Sequence, residues 1–341
     1  MIFRVPSYYE KFRCTAAACK DNCCIGWEID IDAQTQAYYD SVGGAFGARL
    51  RENITDGAFR LGEQERCPFL NQNNLCDIYT ELGEAHLCQI CTDHPRYFAW
   101  FDGVKEGGVG LCCEAAAQLI LNQTAPFSVI ETEIPRESCE EYSDLLFDCL
   151  IGAREQMFAY LQNDQLPLGQ QLCDVLAFAR TLQKQADHQV YSVPSICAAP
   201  CSEPAAFSAL LSFFTTLEPL DPAWQMQLCE QITQRERVSK NMEDFLRENP
   251  DVPRYLRNIA LYFLWRHFLG GVFEEEFYSR VFLACACVSV IGYQLICHWL
   301  ETGALTCEDC AEIAKNLSKE VEYSEENVNA LADFAYEFFG A

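Results

Sequence analysis

The chain has 341 residues, half of them hydrophobic and 22% charged, with 13 Pro and 18 Gly, so it is long enough for about two folded domains and too apolar to be disordered. Fifty Asp and Glu against 24 Lys and Arg leave a net charge of -26, which repels phosphate backbones and anionic headgroups and argues against nucleic-acid and membrane-surface partners. There are 21 cysteines, an odd number, and the opening MIFRVPSYYEKF lacks the apolar stretch of a secretory signal. The sequence therefore predicts a cytoplasmic protein whose thiols bind metal or do redox chemistry, not a disulfide scaffold.

The fold class predicted is mainly α. A cysteine-rich, metal- or cluster-binding N-terminal domain with short irregular strands spans residues 1–135, and an all-helical domain spans 136–341. Near the start, Trp27 to Asp32 alternates apolar and acidic residues like a strand, and residues 33–52 read as a helix broken at Gly43 and Gly44. Glu114 to Leu121 reads as an apolar helix. The stretch Pro126 to Pro135 reads as a connector or short strand and gives the domain boundary. Beyond it helix punctuation is dense. Ser138 with Glu141 has capping-box spacing, Asp221-Pro222 opens a helix, Gly270 closes one, and Thr306 with Asp309 and Ser324 open two more, the last presenting Leu331, Phe334, Ala335 and Phe338 on one face. Val281 to Leu300 carries no formal charge over a length near that of a membrane span. Ser289, Gln294 and His298 within it, and the acidic run Glu274 to Glu276 before it, favour a buried central helix.

The chemistry concentrates in two constellations. The first is Phe12-Arg13-Cys14-x4-Cys19-x3-Cys23-Cys24-x-Gly26-Trp27, four thiols on a segment too irregular for a core helix. The second is Cys67-Pro68-Phe69-Leu70, Leu75-Cys76-Asp77-Ile78-Tyr79, Cys88-x2-Cys91-x3-Pro95-Arg96 and Gly110-Leu111-Cys112-Cys113-Glu114. Thiolate sulfur is the soft ligand of iron-sulfur and zinc centres, and Pro68 and Pro95 stiffen the loops that must hold it. An isolated Cys is more often a small buried hydrophobe; a cluster of this density reverses that reading.

These ordered motifs, FxCxxxxCxxNCCxGWxIxID followed by CPFL, LCDIY, CxxHPR and CCEAA, resemble the flagellin lysine-N-methylase family, itself related to CxxCxxCC-type iron- or zinc-chelating proteins. The resemblance covers about the first 120 residues. It implies a 4Fe-4S cluster and methyl transfer from S-adenosylmethionine to surface lysines of flagellin. Its pattern falls on Cys14, Cys19, Cys23, Cys24, Cys67, Cys76, Cys91 and Cys113, with Cys88 and Cys112 as additions and His94 where relatives often carry an aromatic residue. Eight candidates exceed the four thiolates of one cluster, so either a subset ligates or two centres exist. A zinc-binding structural or carrier protein and a cluster-based redox protein are the alternatives.

Other features carry less. Gly43-Gly44-x2-Gly47 follows a polar helical stretch instead of a strand, which rejects it as a dinucleotide loop, so S-adenosylmethionine must bind in another mode. A lysine nucleophile must lose its proton, and Glu114 is a candidate base. Arg96 is a candidate to hold a carboxylate or to pair with Asp93. Cys285 and Cys287 diverge on a helix, while Cys307 and Cys310 share a face, and all four read as buried thiols.

Overall fold

The computed structural model describes every residue except Trp27, Cys139, Ser202, Glu203, Gly340 and Ala341; of the side chains, those of Pro204, Phe338 and Phe339 are also outside the description. The strand predicted from Trp27 to Asp32 is reduced, among its described residues, to an isolated bridge from Asp30 to Ala58; Trp27 itself and the side chain of Phe338 lie outside the description. In chain order the elements are β1 (Ile2–Pro6), α1 (Ala33–Ser41), α2 (Gly44–Glu52), β2 (Ile54–Thr55), β3 (Ala58–Phe59), α3 (Asp77–Leu82), α4 (Gln89–Asp93), β4 (Arg96–Phe101), β5 (Val104–Val109), α5 (Glu114–Leu121) and β6 (Val129–Glu133). Then come α6 (Asp144–Leu161), α7 (Leu168–Asp187), α8 (Pro204–Phe214), α9 (Pro222–Gln231), α10 (Arg235–Glu248), α11 (Val252–His267), α12 (Gly271–Glu274), α13 (Tyr278–Thr302), α14 (Cys307–Glu322) and α15 (Glu325–Phe339). The protein is mainly helical, as its composition and punctuation predict.

The chain divides into two compact units. One holds residues 1–11, 98–112 and 116–341, the other residues 12–97 and 113–115. These limits differ from the 135/136 division read from the sequence, and strand pairing is the reason. In the larger unit β1 pairs in parallel with β5, Phe3 opposite Lys105, and antiparallel with β6, giving a sheet of order β4-β5-β1-β6. The N-terminal strands are thus an ordered mixed sheet that belongs with the helices.

The centre of the larger unit is α13. It is the described helix long and apolar enough to cross a membrane, yet 83% of its most apolar window is buried in the unit against α7, α10, α11, α14 and α15. Each fully buried Val, Ile or Leu on it contributes roughly 1.5–3 kcal/mol, which is why an uncharged run is needed there. The helix openings at Asp221, Thr306 and Ser324 are made as the sequence predicts: Asp221 accepts from the Ala223 amide, Thr306 and Asp309 form the reciprocal capping box, and Ser324 accepts from Asn327. The Ser138 opening is not. Helix α6 is instead capped by Ser143, five residues on, just after Tyr142, which packs on Phe101, Phe147 and Phe273 and accepts from the Asp102 amide.

Two buried charge groups fix this interior. Arg154 pairs bidentately with Glu106 at 2.7 and 2.6 Å and lies 4.3 Å from the Trp265 ring centroid. Glu322 accepts from His267 at 2.7 Å, Arg266 at 3.1 Å, Tyr262 at 3.1 Å, and Ser318. Burial opposes its charge, but the Arg266 guanidinium and the His267 hydrogen bond outweigh that and hold the carboxyl below the usual range.

In the smaller unit Asp32 caps α1 by accepting from Thr35, and the break between α1 and α2 falls at Val42 and Gly43, as the glycine pair predicts. Gly47 has a different role from a phosphate loop: a Cβ there would meet the Val42 carbonyl oxygen at 1.8 Å, so the residue is small because backbone passes against it. Around Tyr39, Leu50, Phe59, Phe69 and Ile78 a small apolar core forms, and thiols pack into it.

Candidate metal centre

The backbone of the smaller unit delivers its thiols from four separate places. The Cys67 amide donates to the Cys24 carbonyl at 2.9 Å, and Ile25 bridges Arg66, which clamps the CC turn to the CPFL loop. Leu70 bridges Cys76, and the Asp77 amide donates to Phe69 at 2.7 Å, which folds the LCDIY segment onto the same loop. Cys76 stands at the N-cap of α3 and Cys88 at the N-cap of α4. Asp32 reaches across to accept from the Gln89 amide at 3.0 Å, so one carboxylate caps both α1 and α4.

The result is a convergence of five thiols. Cys67 and Cys88 are buried, and Cys24, Cys76 and Cys91 pack against the same core. Burial pushes Cys67 up to about 11, and burial also raises Cys76, with the Tyr79 and Ile78 amides at the start of α3 pulling the other way. Cys91 donates to Cys88, which holds Cys88 below and Cys91 far above the ordinary thiol value; the nearby sulfurs of Cys24 and Cys67 add to the rise. Cys24 is raised by donating to Cys23, then by burial and by repulsion from Cys23, Cys67 and Cys76. Cys24, Cys67, Cys76 and Cys91 are thus made harder to ionise in part by neighbouring sulfurs, while Cys88 is favoured as the thiolate by the hydrogen bond from Cys91. By its chemistry a soft cation or cluster is the kind of partner that lets clustered thiols ionise together. Among the described residues no three His, Cys, Asp or Glu side chains already stand in metal-ligating geometry.

The other sequence candidates are placed differently. Cys23 is exposed and held well below the ordinary thiol value by the Cys24 hydrogen bond and by His94. Cys14 is exposed, its sulfur accepting from the Ala16 amide, and Cys19 donates to the Asp21 carbonyl at 3.0 Å. Cys113 is half-buried. Cys112 sits in the larger unit, buried, 2.9 Å from the Tyr323 hydroxyl. Cys88, set apart in the motif comparison, lies inside the convergent group; the signal for it was its place at the start of a helix three residues before Cys91. Glu114 accepts from the Lys20 amide and the Cys19 thiol, fixing the loop that carries Cys14 and Cys19. Arg96 lies over the Phe12 ring at 5.3 Å, and Asp93 accepts from Gln89.

One of the comparisons with known proteins falls within the larger unit. A family model described as the FliB lysine N-methylase C-terminal domain matches residues 235–339. A lysine-N-methylase of Salmonella typhimurium is 25% identical over 143 residues, 39% of this chain and 36% of that protein. One from Salmonella choleraesuis is 26% identical over the same length, and the flagellar biosynthetic protein FliU of Salmonella muenchen is 28% identical over 127 residues, 34% of this chain and 75% of that protein. The match thus spans about a third of the length of the lysine-N-methylases. No solved structure shows significant similarity to the chain.

Proposed function

We propose, from its kinship with the flagellin lysine-N-methylase family, that this chain methylates lysine side chains on a protein, taking the methyl group from S-adenosylmethionine and acting in the cytoplasm on flagellin. The kinship supports the reaction class, and the flagellar biosynthetic role in the name of the FliU relative favours a flagellar substrate. The lysine ammonium first gives its proton to a base or to water; the neutral amine then attacks the sulfonium methyl, the N–C bond forming as the S–CH3 bond breaks and S-adenosylhomocysteine leaves.

The observation that carries the cofactor reading is the convergence of Cys24, Cys67, Cys76, Cys88 and Cys91 on one small core. These side chains would hold a 4Fe-4S cluster, four as thiolates, which would supply a Lewis-acidic, redox-capable centre. Cys14, Cys19, Cys23 and Cys113 then serve the loops around it, or a second centre. Cys76 and Cys88 start helices, where backbone amides favour the thiolate form a ligand must take. The chain's acidity adds a long-range attraction for a lysine-bearing surface.

The test is a methyl-transfer assay with anaerobically purified protein, labelled S-adenosylmethionine and purified flagellin, read by intact mass. Mass increments of one or more methyl groups on flagellin, absent without the donor, are expected. Zinc bound without sulfide in an inactive preparation would leave a zinc-stabilised binding protein in place of the enzyme.

A further inference from the structure

Strands β4 and β5 form a hairpin whose turn, Asp102-Gly103, needs the positive φ of Gly103 at 74°. Residues two apart on a strand share a face, so Phe98 and Trp100 stand together, ring centroids 6.0 Å apart. From β5, Lys105 reaches over both, its ammonium 4.6 Å from the Trp100 ring centroid and 5.0 Å from that of Phe98. Glu137 closes the third side. Its oxygens lie 3.1 and 3.2 Å from the Lys105 Nζ, and it also accepts from the Trp100 indole. The walls are preformed: a Cβ at Gly107 would meet the Phe98 ring at 3.1 Å and the Phe3 ring at 3.0 Å, so the Phe98 ring is seated against bare backbone. The Lys105 side chain is left only 16% exposed, although β4 is the edge strand of its sheet and Trp100 opens to solvent.

We propose that Phe98, Trp100 and Glu137 form a recognition cage for methylated lysine side chains, in which Lys105 is the chain's own resident cation. Two aromatic faces and a carboxylate around one cation are the chemistry that recognises alkylammonium groups. The resident sets the selectivity. An unmodified lysine from another protein would exchange like for like, and would lose to an intramolecular competitor at high effective concentration. N-Methylation keeps the positive charge but removes N–H donors and weakens hydration, so a methylated ammonium enters the cage at lower desolvation cost. Lys105 has a long flexible stem and regains full hydration on swinging out. The biological consequence, that the protein keeps hold of a surface it has already methylated, rests on the lysine-methylation reading; the binding does not.

The full-length protein is titrated with a short peptide carrying one trimethyl-lysine, with the same peptide unmodified, and with tetramethylammonium chloride, by calorimetry. The trimethylated peptide should bind at least about tenfold more tightly than the unmodified one, Lys105→Ala should tighten it a further several-fold, and Trp100→Leu should remove the preference. Glu137→Gln, at an exposed position, should weaken both methylated ligands several-fold with unchanged thermal melting. Equal binding of the two peptides, or an unchanged preference in Trp100→Leu, overturns the cage. A protein that discriminates methyl-lysine yet transfers no methyl group keeps the cage and sinks the activity; transfer without discrimination does the reverse.

Discussion

The two units use cysteine in opposite ways. In the smaller, Cys24, Cys67, Cys76, Cys88 and Cys91 arrive from separate turns and helix starts, and each sulfur feels others of the set. In the larger, Cys285, Cys287 and Cys297 lie along the single helix α13, fully packed, with burial as the leading reason their thiols are pushed up. Burial is common to both groups and so does not distinguish them. What differs is convergence: loops can aim several donors at one point, whereas a straight helix sends its thiols to different neighbours.

That contrast is easiest to break with substitutions that separate fold from metal. The largest expected effect is in the larger unit, where Arg154→Met leaves Glu106 buried beside the more distant Arg4 at 3.4 Å; it should cost about 3–5 kcal/mol in denaturant melts. It should leave the iron content per folded molecule unchanged. Next, Cys67→Ser or Cys91→Ser should cut iron retained after anaerobic reconstitution by about tenfold or more, as loss of a ligand does. Cys287→Ser should retain full iron while lowering stability by about 1–3 kcal/mol, because it buries a hydroxyl among apolar groups. If Cys287→Ser loses iron as Cys67→Ser does, the two populations are not distinct.

Smaller effects sharpen the picture. Asp32→Ala removes caps from α1 and α4 together and should cost about 1–2 kcal/mol, read by proteolysis within the smaller unit. For pH, Glu322 titrates below its unfolded value. Its contribution to the larger unit is therefore fully present above the ordinary carboxylate range and is lost as pH falls through the depressed folded value. Glu322→Gln should flatten that acid limb of the stability curve.

Much of the fold was legible because helix ends are local: Asp221, Thr306 with Asp309 and Ser324 cap where their side chains predict. Ser138 misleads as a local signal, since Ser143 takes the cap instead, beside the tertiary packing of Tyr142. The limits of the units were hidden for a related reason, since strand pairing between Phe3 and Lys105 bridges the chain from before Cys14 to beyond Cys91 and leaves no local trace. At the site, the clustering of thiols was plain, but which of them converge depends on contacts such as Cys67 to Cys24, and spacing alone does not rank Cys88 above Cys14.

The central claim is that the five convergent thiols hold an iron-sulfur cluster. Iron, acid-labile sulfide and zinc are measured in anaerobically purified protein and in a Cys88→Ser, Cys91→Ser double variant, with an electron paramagnetic resonance spectrum of the reduced form with and without S-adenosylmethionine. The account predicts about four irons and four sulfides per chain, a signal altered by the methyl donor, and loss of both in the double variant. Zinc without sulfide, or a cluster that survives loss of Cys88 and Cys91 undiminished, would contradict it.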